Sequence, residues 1–295
     1  VWVRIVIPEA HDELRAAPTS RRRFLLTSAA VGAAGVGIAG CAFGPNASAV
    51  EATRHVLAVP GLPEALDGLR VAHVTDTHFP ANHAAGARAL AILAAERPEI
   101  VVFTGDMVEH ASALDHLVAF AREARGTLAT VAVRGNWEWS AGIAPARLAA
   151  AYASAGVTYL QNDVAPIRVG SARLAIAGLD DPVLGNPDAL RLSARVQGDA
   201  VIWALHGPGY ADLLPRGTPA QLLLAGHTHG GQIRLPFLPG FAPTGSGRFL
   251  AGWYETAAAP LYVSRGIGTT AVRARLFCPP ELPIVTLARA KAPLG

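Results

Sequence analysis

Five short fragments of this chain carry side chains that bind divalent cations: Asp76-Thr77-His78, Gly105-Asp106, Gly135-Asn136, the lone His206, and Gly226-His227-Thr228-His229. Imidazole and carboxylate suit borderline and hard divalent ions such as zinc, manganese and iron, and one shared carboxylate can bridge two ions roughly 3.5–4 Å apart. No cysteine stands among them, which argues against a structural zinc site. Alone, each fragment reads as turn chemistry, since Gly-Asp after an apolar run is ordinary punctuation. Five in succession read as one ligand set for two metals.

The elements that must position these residues are visible just before them. The runs are VAHVT before Asp76, IVVFT before Gly105, TVAVR before Gly135, VIWAL before His206 and QLLLA before Gly226. Such stretches read as buried strands, so the ligands lie at strand ends. In open α/β sheets ligands bind beyond the carboxyl ends of the strands, and all five fragments fall there. Helical segments near residues 84–96, 112–125 and 145–155 separate strands near 69–75, 100–104, 128–133 and 157–160, which argues for crossover βαβ connections. An earlier strand is expected near 54–59. From residue 164 onward short strands dominate, near 167–169, 173–177, 200–205, 221–225, 232–235 and 261–264, with a last one near 284–287. Two facing sheets with helices outside are the expected architecture.

The order of the fragments resembles the calcineurin-like metallophosphoesterases, whose pattern is D-x-H, G-D, G-N-H-D/E, a lone His, then G-H-x-H. The resemblance runs from about Arg54 to Arg289, and the stretches GHTHGGQIRLP and SRGIGTT…RLFCPPELPIVTL are similar to the bacterial exported branch of that family. It implies a four-layer α/β/β/α sandwich and a phosphoesterase dependent on two divalent ions, of manganese, zinc or iron. Carried over by position, Asp76, His78 and His229 would hold one ion, Asn136, His206 and His227 the other, and Asp106 would bridge them. Asp106 and Asn136 are the expected catalytic pair. The reaction implied is hydrolysis of a phosphate ester or anhydride by water that the ions activate, with no protein nucleophile. The departure is Trp137, which stands where the family has a histidine, while Glu138 stands where Asp or Glu is usual. That departure bears on proton donation to the leaving group and leaves the ligands intact.

The rest of the chain sets the setting. Ser20-Arg21-Arg22-Arg23-Phe24-Leu25 precedes a Gly- and Ala-rich apolar run to Phe43, which resembles a twin-arginine export signal read by a translocase for folded cargo. Ile38-Ala39-Gly40-Cys41 resembles a lipobox that would attach lipid and a membrane to Cys41, whereas Ala47-Ser48-Ala49 fits cleavage after Ala49. Residues 1–49 are therefore expected to be signal and linker, residues 50–295 the catalytic domain, and the mature protein to lie in the periplasm or on the outer face of the membrane. Charge is nearly balanced, with 25 basic and 22 acidic residues giving +3, and five arginines and three acids lie in residues 1–41. No basic run suggests a nucleic-acid surface. Cys278, in Phe-Cys-Pro-Pro, reads as a buried structural thiol.

Several side chains beyond the ligands carry expectations. Arg134, Arg234 and Arg265 adjoin ligand-bearing or glycine-rich loops and could fork onto a phosphate. His73 reads as a hydrogen-bonded core residue, and His83 and His110 follow the ligand fragments closely enough to approach the metals. The Pro-, Gly- and Phe-rich segment 235–248 follows GHTHGG directly and reads as a long connector, with a loop that defines substrate access as the alternative. A serine triad is not supported, since no G-x-S-x-G elbow is present. The expected substrate is a phosphorylated small molecule or lipid, with an extracytoplasmic lipid or cell-wall phosphoester first. A pyrophosphatase of UDP-diacylglucosamine type and a metal-binding protein that lost turnover at Trp137 are the alternatives.

Overall fold

A computed structural model describes residues 47–290. The arginines of the export signal and the lipobox at Cys41 lie outside the described residues. Twelve strands are formed among these residues: β1 (Glu51–Val59), β2 (Arg70–Val74), β3 (Ile100–Thr104), β4 (Ala129–Val133), β5 (Thr158–Tyr159), β6 (Asp163–Val169), β7 (Ala172–Gly178), β8 (Ala200–Ala204), β9 (Leu222–Ala225), β10 (Gly252–Tyr254), β11 (Leu261–Val263) and β12 (Glu281–Arg289). They make two six-stranded sheets, ordered β1-β12-β2-β3-β4-β5 and β10-β11-β9-β8-β7-β6. Strands β2, β3 and β4 run parallel, as do β7, β8 and β9, so each sheet delivers several carboxyl ends to one edge.

Alternation along the strands explains the layers. On β3, Ile100 and Val102 enter the core between the sheets, whereas Val101 and Phe103 face the helices. On β8, Ile202 and Ala204 face the same inter-sheet core and Val201 and Trp203 the opposite layer. A strand buried on both faces needs an apolar residue at every position, which is why these segments show runs without polar alternation. Helices α1 (His83–Glu96), α2 (Leu114–Glu123), a five-residue α3 (Asn136–Ser140) and α4 (Pro145–Ser154) follow the first sheet's strands, and α1, α2 and α4 cover its outer face. Across the molecule, α5 (Ala189–Arg195) packs Ala189 and Leu192 against the layer of Trp203 and Leu205. The result is the expected α/β architecture of two mixed sheets flanked by helices.

Two local expectations change. Residues 232–235 form no strand, only an isolated bridge between Ile233 and Leu276, because Gln232 turns into the left-handed region at φ 51°. The short helices α3 and α5, and strand β10, are absent from the expected elements. His73 behaves as read: it is buried on β2, its Nε2 2.7 Å from Thr104 Oγ1, and burial pushes its pKa down to about 3.

Candidate metal centre

The loops after β2, β3, β4, β8 and β9 converge, and with them all seven expected ligands. Asp76, His78 and His229 form one buried group of donor atoms, and Asp106, His206 and His227 a second, the atoms of each lying within 4.8 Å of one another. Asp106 stands between them, its Oδ2 3.2 Å from His206 Nε2 and 3.9 Å from His78 Nε2. The carboxamide of Asn136 joins the second group, with Oδ1 3.0 Å from His206 Nε2. In the first group, His229 Nε2 lies 3.5 Å from Asp76 Oδ1 and 3.0 Å from His78 Nε2.

Backbone carbonyls select the imidazole tautomers. His206 Nδ1 donates to Thr104 O at 2.7 Å, so Nε2 is the nitrogen that faces Asp106 and Asn136 and would give up its proton to bind a cation. His227 is turned the other way: Nε2 donates to Thr244 O at 2.8 Å, so Nδ1 faces the site, 3.2 Å from His206 Nε2. A proton held on the outer nitrogen fixes the inner one as a ligand.

Five of the seven ligands sit in the left-handed backbone region: Asp76 (φ 55°), His78 (47°), Asp106 (54°), His227 (73°) and His229 (50°). Such conformations cost of order 1–3 kcal/mol each and persist only where their surroundings enforce them. Here the enforcing contacts are explicit. Asp76 N donates to Gly105 O and His78 N to Asp106 O, tying the first two loops together. Glu138, wholly buried, accepts from the backbone N–H of Asp106 (3.0 Å), Met107 (2.6 Å), Val108 (3.3 Å) and Gly135 (2.8 Å), so one carboxylate holds the loops after β3 and β4. His227 N donates to the Asp76 carboxylate at 3.0 Å, joining the two sheets. A Cβ on Gly226 would collide with Thr75 Oγ1 and Asp76 Oδ2, which is why glycine precedes His227.

Burial shapes the charges. It raises the Asp76 carboxyl to about 7, with Asp106 adding to the shift and His206 opposing it, and it raises Asp106 as well. Burial opposes protonation of His206, yet the neighbouring Asp106 carboxylate lifts it to about 10. Burial holds His227 down at about 3 and pushes His78 and His229 well below the ordinary imidazole range. Burial disfavours both the carboxylate charges and three of the four imidazolium forms, whereas cations bound among these donors would favour ionised carboxylates and neutral imidazoles. The donor set therefore fits two divalent ions.

Above the two groups opens a cavity of ≈ 360 Å³, lined by Asp106, Asn136, His227 and His229 at its floor and by Ile233, Phe241, Pro243 and Val272 among its walls. Trp137 stands at the rim of the first group, its ring edge-on to His78 at 5.4 Å between centroids, and its backbone N–H donates to Asp106 Oδ1 at 2.8 Å.

None of the three arginines expected at the phosphate lines this cavity, and for two the reason is plain. Arg134 is buried, lies 3.8 Å over the Trp139 ring and donates to Ile143 O. Arg265 is drawn away by Glu281, 2.9 Å from its guanidinium. Arg234 is exposed beside the cavity, on the loop that follows the ligands. His110 is exposed, His83 packs against His116 at 4.7 Å between ring centroids, and neither lines the cavity above the ligands. Cys278 is buried, its thiol donating to His229 O and Gly230 O. Two supporting residues escaped the sequence reading: Arg275, a buried guanidinium bonded to Arg265 O, Gly266 O and Gly268 O, and Thr75, whose hydroxyl donates to Asp76 Oδ2 at 2.8 Å.

Two sheets that bring a D-x-H, a G-D, a G-N and a G-H-x-H to one edge define a metal-dependent phosphoesterase. The chain belongs to the calcineurin-like phosphoesterase family, whose profile it matches over residues 69–231. It is 30% identical over 283 residues to the uncharacterized metallophosphoesterase YkuE of Bacillus subtilis, covering 91% of this chain and 97% of that one. It is 29% identical over 279 residues to the phosphodiesterase YaeI of Escherichia coli, covering 91% and 99%. Among solved structures it resembles the Termus thermophilus sulfate thiohydrolase SoxB, at 18% identity and a TM-score of 0.44; the match covers 69% of this chain and 42% of that one.

Proposed function

We propose that this hydrolase is an exported phosphodiesterase whose substrate carries an apolar group beside a singly charged phosphate, such as an extracytoplasmic lipid or cell-wall phosphodiester. The observation that carries the reading is the cavity lining, which among the described residues holds no lysine or arginine and has apolar walls above the ligands. A phosphate monoester brings nearly two negative charges and needs cationic side chains beyond the ions, whereas a diester brings one and offers a second substituent to fill an apolar wall.

When bound, two divalent ions polarise a phosphoryl oxygen and make water acidic enough to attack at neutral pH. The chain's own residues supply the rest. Asp106 and Asn136 fix the relation between the two donor groups, and the Trp137 N–H keeps the Asp106 carboxylate from rotating. Ile233, Phe241 and Val272 exclude water from the substituent side.

Turnover of bis-nitrophenyl phosphate and of nitrophenyl phosphate by manganese-loaded protein tests this reading. Preference for the diester is expected. Equal or faster cleavage of the monoester overturns it, and no cleavage of either by protein holding two ions supports a binding role instead. Export rests on the Arg21-Arg22 pair and the apolar run after it, with lipid on Cys41 one way of retaining the product at the membrane. Lysine at positions 21 and 22 should leave precursor inside the cell; processed protein outside at the normal level would contradict export by this route.

A further inference from the structure

We infer that the loop at residues 233–241 is a membrane-docking element, which sets the mouth of the metal cavity against an anionic lipid bilayer. The inference concerns where the protein sits, and stands whichever phosphoester it cleaves.

The loop reads Ile233-Arg234-Leu235-Pro236-Phe237-Leu238-Pro239-Gly240-Phe241. Among the described residues thirteen large apolar side chains are exposed, and five of them fall on these nine positions. Phe237 is fully exposed, Leu238 is 61% exposed and Phe241 74%. Val272 and Phe277 are exposed too, flanking Leu276, which is bridged to Ile233. Scattered apolar residues on a surface mean little, but a contiguous set beside a cavity marks a site of contact.

The loop is held in this exposed position. Its base is bonded to the chain beside it through Arg234 N to Leu276 O (2.9 Å) and Leu276 N to Gln232 O (3.1 Å). Its return leg lies so close to the ligand turn that a Cβ on Gly231 would stand 3.1 Å from Gly240 Cα. Within it, Leu238 N donates to Leu235 O, and prolines 236 and 239 restrict the backbone. The rings therefore project from a fixed base, and Ile233 and Phe241 continue the same apolar surface into the cavity.

Charge selects the occupant. From Leu213 to Tyr254 the chain has no Asp or Glu, and it has arginines at 216, 234 and 248. Arg248 is paired with Asp212, but Arg234 makes no ion pair among the described residues and lies against Gly240, within the apolar set. Projecting aromatic and leucine side chains with an unpaired arginine between them suit the boundary of an anionic bilayer, where rings enter the acyl region and guanidinium meets lipid phosphate. No helix among the described residues is long and apolar enough to cross a membrane.

The test is deuterium exchange on the full-length, metal-loaded protein with and without vesicles, read in the peptide spanning 233–249. A local readout is needed because the apolar N-terminal run can hold the chain on a vesicle by itself. Vesicles of phosphatidylcholine with phosphatidylglycerol should slow exchange in this peptide about tenfold or more, and pure phosphatidylcholine distinctly less. Phe237→Ser with Leu238→Ser should remove the slowing while leaving turnover of soluble bis-nitrophenyl phosphate unchanged, since neither residue lines the cavity. Arg234→Glu should remove the difference between the two vesicle types. Unchanged exchange at 233–249 in wild type on anionic vesicles overturns the inference, as does slowing that survives the double serine variant. Slowing by a soluble protein but not by vesicles would identify the surface as a protein interface and overturn it equally.

Discussion

Trp137 is the residue at which this site parts from its family, and its position is now specific. The indole stands edge-on to His78 at the cavity rim, with one N–H to donate and no means of shuttling a proton. Neither His83 nor His110 lines the cavity. Turnover should therefore depend steeply on the acidity of the leaving group. General acid catalysis is worth about 10²–10⁴-fold, so aryl phosphodiesters should be cleaved at least about a hundredfold faster than alkyl ones. Rates across a series of leaving groups check this, and Trp137→His should raise the alkyl rates selectively. Equal rates on aryl and alkyl diesters would mean that an acid has been overlooked. The convergence of the seven expected ligands was legible in the sequence because each fragment that carries them follows an apolar run. The arginines were not, because adjacency to a loop does not fix where a long side chain ends: Arg134 precedes Gly135 yet its guanidinium reaches Ile143 O.

The loops after β3 and β4 act as one element because Glu138 binds both. A carboxylate accepting several backbone N–H groups is replaced poorly even by its amide, since one oxygen becomes an NH₂ that faces other donors. Glu138→Gln should fold, lose about 2–4 kcal/mol of stability, and bind metal roughly 10–100-fold more weakly, as when a partner behind a ligand is removed. Denaturant unfolding and metal titration measure the two effects separately; unaltered metal affinity would leave Glu138 only a stability role. Secondary structure was legible in proportion to length and burial. Strand β3 was read to the residue because both its faces are apolar, and α1 and α4 to within a residue. Helices α3 and α5, of five and seven residues, are too short to display a helical period. The strand expected at 232–235 failed for a different reason: its alternation is real, but Gln232 turns into the left-handed region and leaves Ile233 at the cavity wall and Leu235 in solvent instead of in a core.

The molecule as a whole stacks two sheets over an inter-sheet core into which a few polar groups are sealed, and His73 gives that sealing a pH dependence. Its folded pKa of about 3 lies below the free value of 6.5, so between those limits the unfolded chain holds a proton that the folded chain lacks. Stability should fall as pH drops from 6.5 towards 3, by about 1 kcal/mol per pH unit from this group, with no contribution above 6.5. His73→Gln, which can keep the contact with Thr104, should flatten that part of the curve; denaturant midpoints at several pH values measure it, and an unchanged slope would refute the assignment. The order of the first sheet has another effect. Strand β12, the last described strand, lies between β1 and β2, pairing with β1 from Glu51↔Glu281 to Val59↔Arg289. During synthesis the ribosome delivers β1 and β2 long before β12, so both wait with open edges until residues 281–289 have emerged. Closure of this sheet thus reports that translation has run past residue 289. Were the protein exported in the folded state, as proposed, the same joint would work as a proofreading step: a chain terminated before β12 lacks the strand that joins its first two and leaves this sheet unclosed.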